Sequence, residues 1–261
     1  MPIKLVISGA CGRMGQAIAR CALADSAFVI GAALEARGSP DVGKPYATML
    51  GRPLPQDITV ITVASVAIGR GDNEQVVLIE FTTPEATMEH AQLAKERKVP
   101  MVIGTTGLSE AQHTALREIA KTIPLLVSPN MSVGVNVLFE LAQLAAQRLG
   151  PGYDVEVIEA HHRQKIDAPS GTAKRLADLL AAARGQSTGA IPVHAIRAGD
   201  IVGDHTVILA GPSERLELTH RAQSREVFAQ GALRAAQFVV PQPPGLYDMS
   251  HALRSWIAAS E

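Results

Sequence analysis

One segment, residues 156–173, concentrates side chains suited to proton transfer and anion binding within a short stretch of sequence. At the end of a predicted strand it carries His161, His162, Arg163 and Lys165. After a proline, a helix is expected to open at Ser170, Gly171 and Thr172, with Ser170 as N-cap and the next two amides as free donors. Cationic side chains beside a helix N-terminus attract anions, so the segment predicts a carboxylate-binding site.

Other chemistries fit this segment less well. Neighbouring residues on a strand point to opposite faces, so one zinc ion does not readily take both His161 and His162. A Ser–His hydrolase is disfavoured because no G-x-S-x-G elbow surrounds Ser170. We therefore expect no metal and no serine nucleophile. A solvated loop without chemistry is the alternative that the segment alone leaves open.

A glycine-rich loop follows the first predicted strand. Gly9, Gly12 and Gly15 are spaced as G-x-x-G-x-x-G, with a helix predicted directly afterwards. Glycines at such a turn let backbone amides and the positive end of the helix approach a pyrophosphate. The loop therefore predicts a dinucleotide site, although the glycines could also serve only to form a tight turn.

An acid stands at the distance expected for that site. Glu35 lies twenty residues after Gly15, at the end of the second predicted strand, where a carboxylate can accept hydrogen bonds from ribose hydroxyls. Arg37 could instead attract a 2′-phosphate. Two further loops, residues 104–107 and 128–131, also follow predicted strands and are expected at the same ligand-binding edge of the sheet.

The predicted elements divide the chain near Ser132. In the N-terminal part, strands are predicted at 3–7, 28–34, 58–63, 76–79, 101–103 and 125–127, and helices at 15–24, 85–98 and 110–121. This alternation predicts an α/β domain with a parallel sheet. In the C-terminal part, a helix at 136–149, a strand at 154–159 and a helix at 172–183 precede consecutive strands at 193–197, 206–209 and 215–219. Strands without intervening helices favour a mixed or antiparallel sheet, and so an α+β second domain.

The composition limits the classes of partner. The net charge of −1 and the 3% aromatic content argue against nucleic acid as a ligand. No apolar run approaches the ~18 residues of a membrane span, and the N-terminus lacks an export signal. Cys11 and Cys21 are expected too far apart for a disulfide, which fits a reducing compartment. We expect a cytoplasmic protein without a membrane or nucleic-acid partner.

Several motifs together resemble the dihydrodipicolinate reductase (4-hydroxy-tetrahydrodipicolinate reductase) family of the diaminopimelate route to lysine. The signature E-x-x-E-x-H-x-x-x-K-x-D-x-P-S-G-T-A is present in full at residues 156–173. The glycine loop and residues 31–35, 102–107, 130–136, 197–203 and 245–249 match as well, so the resemblance runs nearly end to end.

This resemblance implies a homotetrameric cytoplasmic enzyme that uses NADH, NADPH or both, and no metal, to reduce 4-hydroxy-tetrahydrodipicolinate, a cyclic imine dicarboxylate. It implies a Rossmann-type domain at residues 1–132, completed by 242–261. A smaller α+β domain at 133–241 would bind the substrate and form the tetramer through its sheet.

The resemblance also implies roles for individual residues. His161 would be the acid/base group, Lys165 the proton donor, and His162, Gly171 and Thr172 substrate contacts, with Ser170 in the same anion site. The nucleotide would contact Gly9, Ala10, Cys11, Gly12, Arg13, Met14, Glu35, Gly104, Thr105, Thr106, Ser128, Pro129, Asn130 and Met131.

Two positions depart from the pattern of the family. Many members have Arg directly after the ribose-binding Glu, whereas this chain has Ala36 there and Arg37 one place later, which leaves the NADH/NADPH preference open. Relatives often carry two alanines where Ser128 and Pro129 stand. The alternative functions are another two-domain dehydrogenase acting on an amino acid or aldehyde, and a dinucleotide-sensing regulator without chemistry.

Overall fold

Two separate β-sheets, each with its own helices, build the protein. The structure is a computed structural model that describes residues 1–62 and 75–258. The described residues fall into two units. The first is drawn from Met1–Met131 and Phe228–Glu261, and the second is Ser132–Val227.

The first unit contains a seven-stranded parallel sheet. Its strands are β1 (Ile3–Ser8), β2 (Phe28–Leu34), β3 (Val60–Ile61), β4 (Val76–Glu80), β5 (Met101–Ile103), β6 (Pro124–Val127) and β11 (Gly245–Tyr247), in the spatial order β11-β6-β5-β4-β1-β2-β3. Its helices are α1 (Arg13–Ala22), α2 (Tyr46–Leu50), α3 (Pro84–Arg97), α4 (Glu110–Ala120), α7 (Glu226–Val239) and α8 (Met249–Ala258).

Burial and capping explain why these elements form. All residues of β4 are buried, as is usual for a parallel strand whose two faces are both covered. Helix α3 begins at Pro84 behind Thr83, whose hydroxyl accepts from the amide of Ala86. Helix α4 begins with a capping box formed by Ser109 and Gln112. The sequence signals for the helix starts are therefore satisfied locally.

The strand order reverses between β1 and β4. From β1 the chain first builds outward through β2 and β3, and then returns to place β4 on the other side of β1. In open parallel sheets, ligands bind outside the carboxyl ends of the strands at such a switch point. The loops after β1 and β4 are therefore the expected centre of a ligand site in this unit.

The second unit contains a four-stranded mixed sheet. Its elements are α5 (Val133–Leu149), a 3₁₀ turn (Gly150–Gly152), β7 (Asp154–His161), α6 (Gly171–Ala183), β8 (Val193–Arg197), β9 (Asp204–Ala210) and β10 (Arg215–Arg221). The sheet order is β10-β9-β7-β8, with β7 parallel to β8 and β9 antiparallel to both of its neighbours. Alternate residues of β9 are buried, and two of them, Val207 and Leu209, join a core cluster with residues of α5 and α6.

The predicted fold class is confirmed, while several element bounds differ from the predictions. Strand β7 continues to His161 rather than ending at 159, because its pairing with β8 extends to Arg197. The strand predicted at 58–63 is reduced to β3, and residue 63 lies outside the described residues. Helices α2, α7 and α8 and strand β11 were not predicted.

The return of the chain to the first unit differs from the predicted position. The resemblance to the family implies a return at about 242, whereas contacts assign residues from Phe228 onward to the first unit. Helix α7 is the reason, because most of its residues are buried and Gly231 lies directly against the carbonyl of Met131. In the described part of the chain, no helix is both long and apolar enough to cross a membrane.

Candidate active site

The glycine loop lies at the switch point of the first sheet and is shaped by close backbone contacts. Gly9 has φ +73°, and a Cβ there would lie 2.5 Å from the carbonyl oxygen of Phe81, in the loop after β4. Gly15 lies in the first turn of α1, and a Cβ there would collide with the backbone of Gly9 and Ala10. Both positions therefore require glycine for packing of the protein itself.

Gly12 differs from these two glycines. It is the N-cap of α1 with φ −71° and ψ 169°, an ordinary extended conformation. A Cβ there would meet only the carbonyl oxygen of Gly9, at 3.2 Å, and Gly12 is exposed. The N-terminus of α1 is thus open to a ligand on the side where Gly12 lacks a side chain. This is a cradle that fits a pyrophosphate.

Two side chains hold the loop from either side. The carboxylate of Glu35 accepts from the amide of Cys11 at 3.1 Å and from the amide of Ala36 at 3.0 Å. Tyr46 is fully buried, and its hydroxyl donates to the carbonyl oxygen of Ala10 at 2.9 Å. Burial, and secondarily the charge of Glu35, raises the pKa of the Cys11 thiol to about 11, so the thiol stays protonated.

Most of the remaining predicted nucleotide residues directly follow β5 and β6, at the same edge of the sheet. A Cβ on Gly104 would collide with the ring of Phe81. The hydroxyl of Thr105 is buried and accepts from that of Thr87 at 2.8 Å, while Thr106 is exposed.

After β6, Ser128 donates to the carbonyl oxygen of Asn130, Pro129 is exposed and Met131 is buried. Arg13 and Arg37 are exposed, and Met14 is partly so.

A buried acid also lies at this edge and was not singled out from the sequence. Glu80, the last residue of β4, accepts from the ring of His90 at 2.8 Å and from the hydroxyl of Thr82. Burial lowers the pKa of His90, but its contact with Glu80 outweighs burial and raises that pKa. The pair anchors the end of β4 to α3, and thereby the Phe81 carbonyl against which Gly9 packs.

The cationic segment of the second unit is organised around Glu159. Glu159 and His161 are two residues apart on β7 and therefore share one face of the strand. The carboxylate of Glu159 accepts from Nδ1 of His161 and makes a bidentate pair with Arg197 of β8, with N–O distances of 2.8 and 3.0 Å. The amide of Ser170 also donates to it at 3.1 Å. Burial raises the pKa of Glu159, but these hydrogen bonds outweigh burial and lower that pKa, so Glu159 is ionised.

His161 is nearly buried in this cluster. Burial lowers the pKa of His161 below its ordinary value, Glu159 opposes that effect, and the charges of Lys165 and Arg197 add to it. The ring of His205 from β9 lies edge-on to that of His161, with centroids 5.3 Å apart. Burial, together with His161, lowers the pKa of His205 to about 4. Both rings are therefore mostly neutral at neutral pH.

Lys165 lies in the loop between β7 and α6. Its Nζ is 2.8 Å from Oδ1 of Asp167, and its side chain is 24% exposed. Asp167 is held ionised because its contact with Lys165 outweighs the effect of burial and lowers its pKa. Among the described residues, Nδ1 of His162 has no hydrogen-bond partner although it is buried. The segment thus places a partly exposed cation and an unsatisfied ring nitrogen close to His161 in the sequence.

The N-terminus of α6 behaves as predicted only in part. Ser170 is the N-cap, but its hydroxyl accepts from the amide of Ala173 and its own amide donates to Glu159. Its polar groups are therefore already occupied within the protein. Gly171 is exposed, with open space where a Cβ would stand, and Thr172 is partly exposed.

Sequence reasoning did not assign roles to Glu159, Arg197 or His205. The spacing of Glu159 and His161 was visible and places both on one strand face. The contributions of Arg197 and His205 depend on the pairing of β7 with β8 and β9, which spacing along the chain does not specify. In the portion of the chain that the structure describes, no group of His, Cys, Asp or Glu residues could hold a metal ion.

A parallel-sheet unit whose glycine loop leaves the start of α1 open, together with a second unit that carries a cationic segment, is typical of two-domain dinucleotide-dependent oxidoreductases. The family descriptions "Dihydrodipicolinate reductase, N-terminus" and "Dihydrodipicolinate reductase, C-terminus" match residues 3–131 and 134–253. The chain belongs to the dihydrodipicolinate reductase family.

Individual relatives agree with this assignment. The chain is 43% identical over 267 residues to the 4-hydroxy-tetrahydrodipicolinate reductase of Anaeromyxobacter dehalogenans, covering 96% of this chain and 97% of the relative. It is 43% identical over 270 residues to that of Thiobacillus denitrificans, covering 97% and 99%. A solved dipicolinate-bound dihydrodipicolinate reductase from Paenisporosarcina sp. TG-14 has 26% identity and a TM-score of 0.78, over 95% of this chain and 98% of that one.

More distant structures share the fold alone. An amine dehydrogenase from Mycobacterium smegmatis has a TM-score of 0.61 at 13% identity, over 94% of each chain. The predicted activity is confirmed by the family and its relatives: the protein is an oxidoreductase that reduces 4-hydroxy-tetrahydrodipicolinate in lysine biosynthesis, with a nicotinamide dinucleotide as cofactor and a small molecule as substrate.

Proposed function

We propose that the loops after β1, β2, β5 and β6 bind the dinucleotide, and that NADH serves at least as well as NADPH. The cradle at Gly12 supports the position of the pyrophosphate. The carboxylate of Glu35, held by two backbone amides, is suited to ribose hydroxyls and repels a 2′-phosphate. The exposed Arg37 offers a compensating cation, so both cofactors are used.

The substrate site is the segment from His161 to Thr172. A dicarboxylate requires cations and N–H donors, and His162, Lys165 and the N-terminus of α6 at Gly171 and Thr172, where Gly171 is exposed, supply them. The dipicolinate bound by the Paenisporosarcina relative is also a cyclic dicarboxylate. Ser170 contributes by holding the start of the helix, since its own polar groups bind Glu159 and Ala173.

Lys165 and His161 move the proton. A bound nicotinamide dinucleotide supplies the hydride, so the atom next to the reduced carbon must take up a proton. A lysine is charged at neutral pH, whereas burial keeps His161 mostly neutral. Lys165 is therefore the charged donor and carboxylate partner, and His161 completes or relays the transfer. The observation that carries this assignment is that His161 is anchored by Glu159 and kept mostly neutral, while the partly exposed Lys165 is close enough for its charge to lower the pKa of His161.

Steady-state oxidation of NADH with freshly generated substrate tests these roles. Lys165→Ala and His161→Ala should each lower kcat by about 10²–10⁴-fold, the usual loss for a positioned acid. Calorimetry should show unchanged NADH affinity, because neither residue lies on the nucleotide loops. His162→Ala should act mainly on KM. Near-normal kcat for Lys165→Ala across the pH range would refute the assignment of the donor.

The proposed assembly is a homotetramer formed through the sheet of the second unit, in the cytoplasm. The side chains of Ile196 on β8 and Leu216 on β10 are 47% and 40% exposed, which favours a covering partner. Neither Cys11 nor Cys21 forms a disulfide, as expected in a reducing compartment. Analytical ultracentrifugation tests the assembly, and a monomer at micromolar concentration would contradict it.

A further inference from the structure

The carboxylate of Glu159 has no capacity left for a substrate. One oxygen accepts from Arg197 at 2.8 Å and from the amide of Ser170 at 3.1 Å. The other accepts from Arg197 at 3.0 Å and from Nδ1 of His161. Glu159 is fully buried, so it acts on the reaction only through the groups that it holds.

We propose that Glu159 is the positioning residue for His161, and that Arg197 sets how strongly Glu159 draws a proton onto that ring. The inference rests on the proposed acid/base role of His161. Glu159 anchors the ring through Nδ1 and so fixes the neutral tautomer with its proton on that nitrogen. The lone pair of Nε2 is then the one available to exchange a proton.

The surroundings of Nε2 support this orientation. Gly203 lies beside it, and a Cβ on Gly203 would come within 3.1 Å of Nε2. The glycine therefore keeps space at the nitrogen that is not bound to Glu159. The edge-on ring of His205 restricts tilting of His161 from the side of β9.

The titratable and charged groups around His161 come from every neighbouring element. They are Glu159 on β7, Arg197 on β8, His205 on β9 with His220 behind it on β10, and Lys165 and Asp167 in the loop before α6. Glu159 favours the imidazolium form of His161, while Arg197 and Lys165 oppose it. Because Arg197 binds both oxygens of Glu159, the two charges compensate each other. Removing either side chain therefore leaves the charge of the other uncompensated beside His161.

The two single variants must therefore shift the titration of His161 in opposite directions. Glu159→Gln leaves Arg197 unpaired, so the pKa of His161 seen in the pH profile of kcat/KM should fall by about one unit. Arg197→Met leaves Glu159 unpaired, so the same pKa should rise by about one unit. The double variant Glu159→Gln/Arg197→Met should return it towards the wild-type value.

The experiment is the pH profile of kcat/KM for NADH-dependent reduction, with NADH affinity measured in parallel. Glu159→Gln should also lower kcat at least about tenfold, as loss of an orienting carboxylate does, with NADH affinity unchanged. Glu156→Gln is a matched control, because Glu156 pairs with His194 at 2.7 Å on the same two strands but on the other face of β7. This control should leave the profile unchanged.

The outcomes separate the inference from the proposed function. If His161→Ala keeps full activity, the acid/base role itself is wrong. A different result would overturn only the positioning role of Glu159. In that result, His161→Ala has a lowered kcat, whereas Glu159→Gln and Arg197→Met both keep the wild-type kcat and the wild-type pKa in the pH profile of kcat/KM. If Glu159→Gln fails to fold, Arg197→Met still tests the positioning role, because the pKa of His161 in its pH profile should rise. A fall in that pKa, or no change, would contradict the inference.

Discussion

Substitution of Gly12 separates cofactor binding from folding at the glycine loop. The extended backbone of Gly12 accepts any residue, and a Cβ there needs only a slight adjustment of the Gly9 carbonyl at 3.2 Å. We expect Gly12→Ala and Gly12→Val to cost about 1 kcal/mol of stability or less, because an apolar N-cap replaces glycine. Gly15→Ala should be much more destabilising, because its Cβ collides with the loop backbone.

The loss of cofactor affinity should be far larger than the loss of stability. A side chain at the start of α1 keeps a pyrophosphate away from the free amides of the helix N-terminus. If about two charge-assisted hydrogen bonds are lost at ~1.5–3 kcal/mol each, the cost is about 3–6 kcal/mol. That cost corresponds to roughly 10²–10⁴-fold in Kd. NADH and NADPH should be affected equally because the pyrophosphate is common to both.

Calorimetric titration with each cofactor, together with thermal unfolding, measures both quantities. Gly152→Ala is the matched control, because Gly152 is exposed in the second unit and has open space around a Cβ. This control should bind NADH as the wild type does. Unchanged NADH affinity in a folded Gly12→Val protein would refute the placement of the pyrophosphate at this loop.

Three further predictions follow from charge and burial. Arg37→Ala should weaken the binding of NADPH more than that of NADH, by about 1–2 kcal/mol for one charged contact with the 2′-phosphate. Equal losses of affinity for the two cofactors in calorimetry would count against a contact between Arg37 and the 2′-phosphate. Tyr46→Phe leaves the buried carbonyl of Ala10 without its donor, so it should destabilise the protein by about 1–3 kcal/mol in urea unfolding; an unchanged midpoint would contradict this. Burial lowers the pKa of His205 to about 4 in the folded protein, whereas an unfolded histidine has a pKa of about 6.5. Between these two pH values the unfolded chain binds a proton that the folded protein does not, so the free energy of unfolding decreases as the pH falls from about 6.5 to 4. The decrease amounts to about 3 kcal/mol. In urea unfolding at a series of pH values, the stability of His205→Gln should fall less over this range than that of the wild type. An equal fall in both proteins would argue against a buried, neutral His205.

Local signals in the sequence were sufficient for most strands and helix starts between β1 and β6 of the first unit, but not for α2, α7, β11 or α8. The strands of a parallel sheet are read from continuous apolar runs, and helix starts from caps such as Thr83 and Ser109. The positions of Gly9 and Gly15 follow from the geometry of a strand–turn–helix connection. Tyr46 was not predicted as a support of the loop, because its contact with Ala10 spans residues far apart in the chain.

The second unit shows where sequence reasoning reaches its limit. The residues of the segment alone predicted an anion site, and only the resemblance to the family implied proton transfer by His161 and Lys165. Their electrostatic setting depends on Arg197 and His205, which approach from neighbouring strands whose register is fixed only by the folded sheet. Ser170 shows the same limit, because its amide donates a hydrogen bond to Glu159, a contact that its position as N-cap does not predict.

The central claim is that Lys165 supplies the proton while the first unit independently holds the hydride carrier. Single-turnover oxidation of NADH by Lys165→Ala, saturated with NADH and mixed with substrate, tests this claim most directly, because release of product no longer contributes to the measured rate. We expect a rate about 10²–10⁴-fold below that of the wild type, with NADH affinity unchanged. A wild-type rate in a single turnover would contradict it.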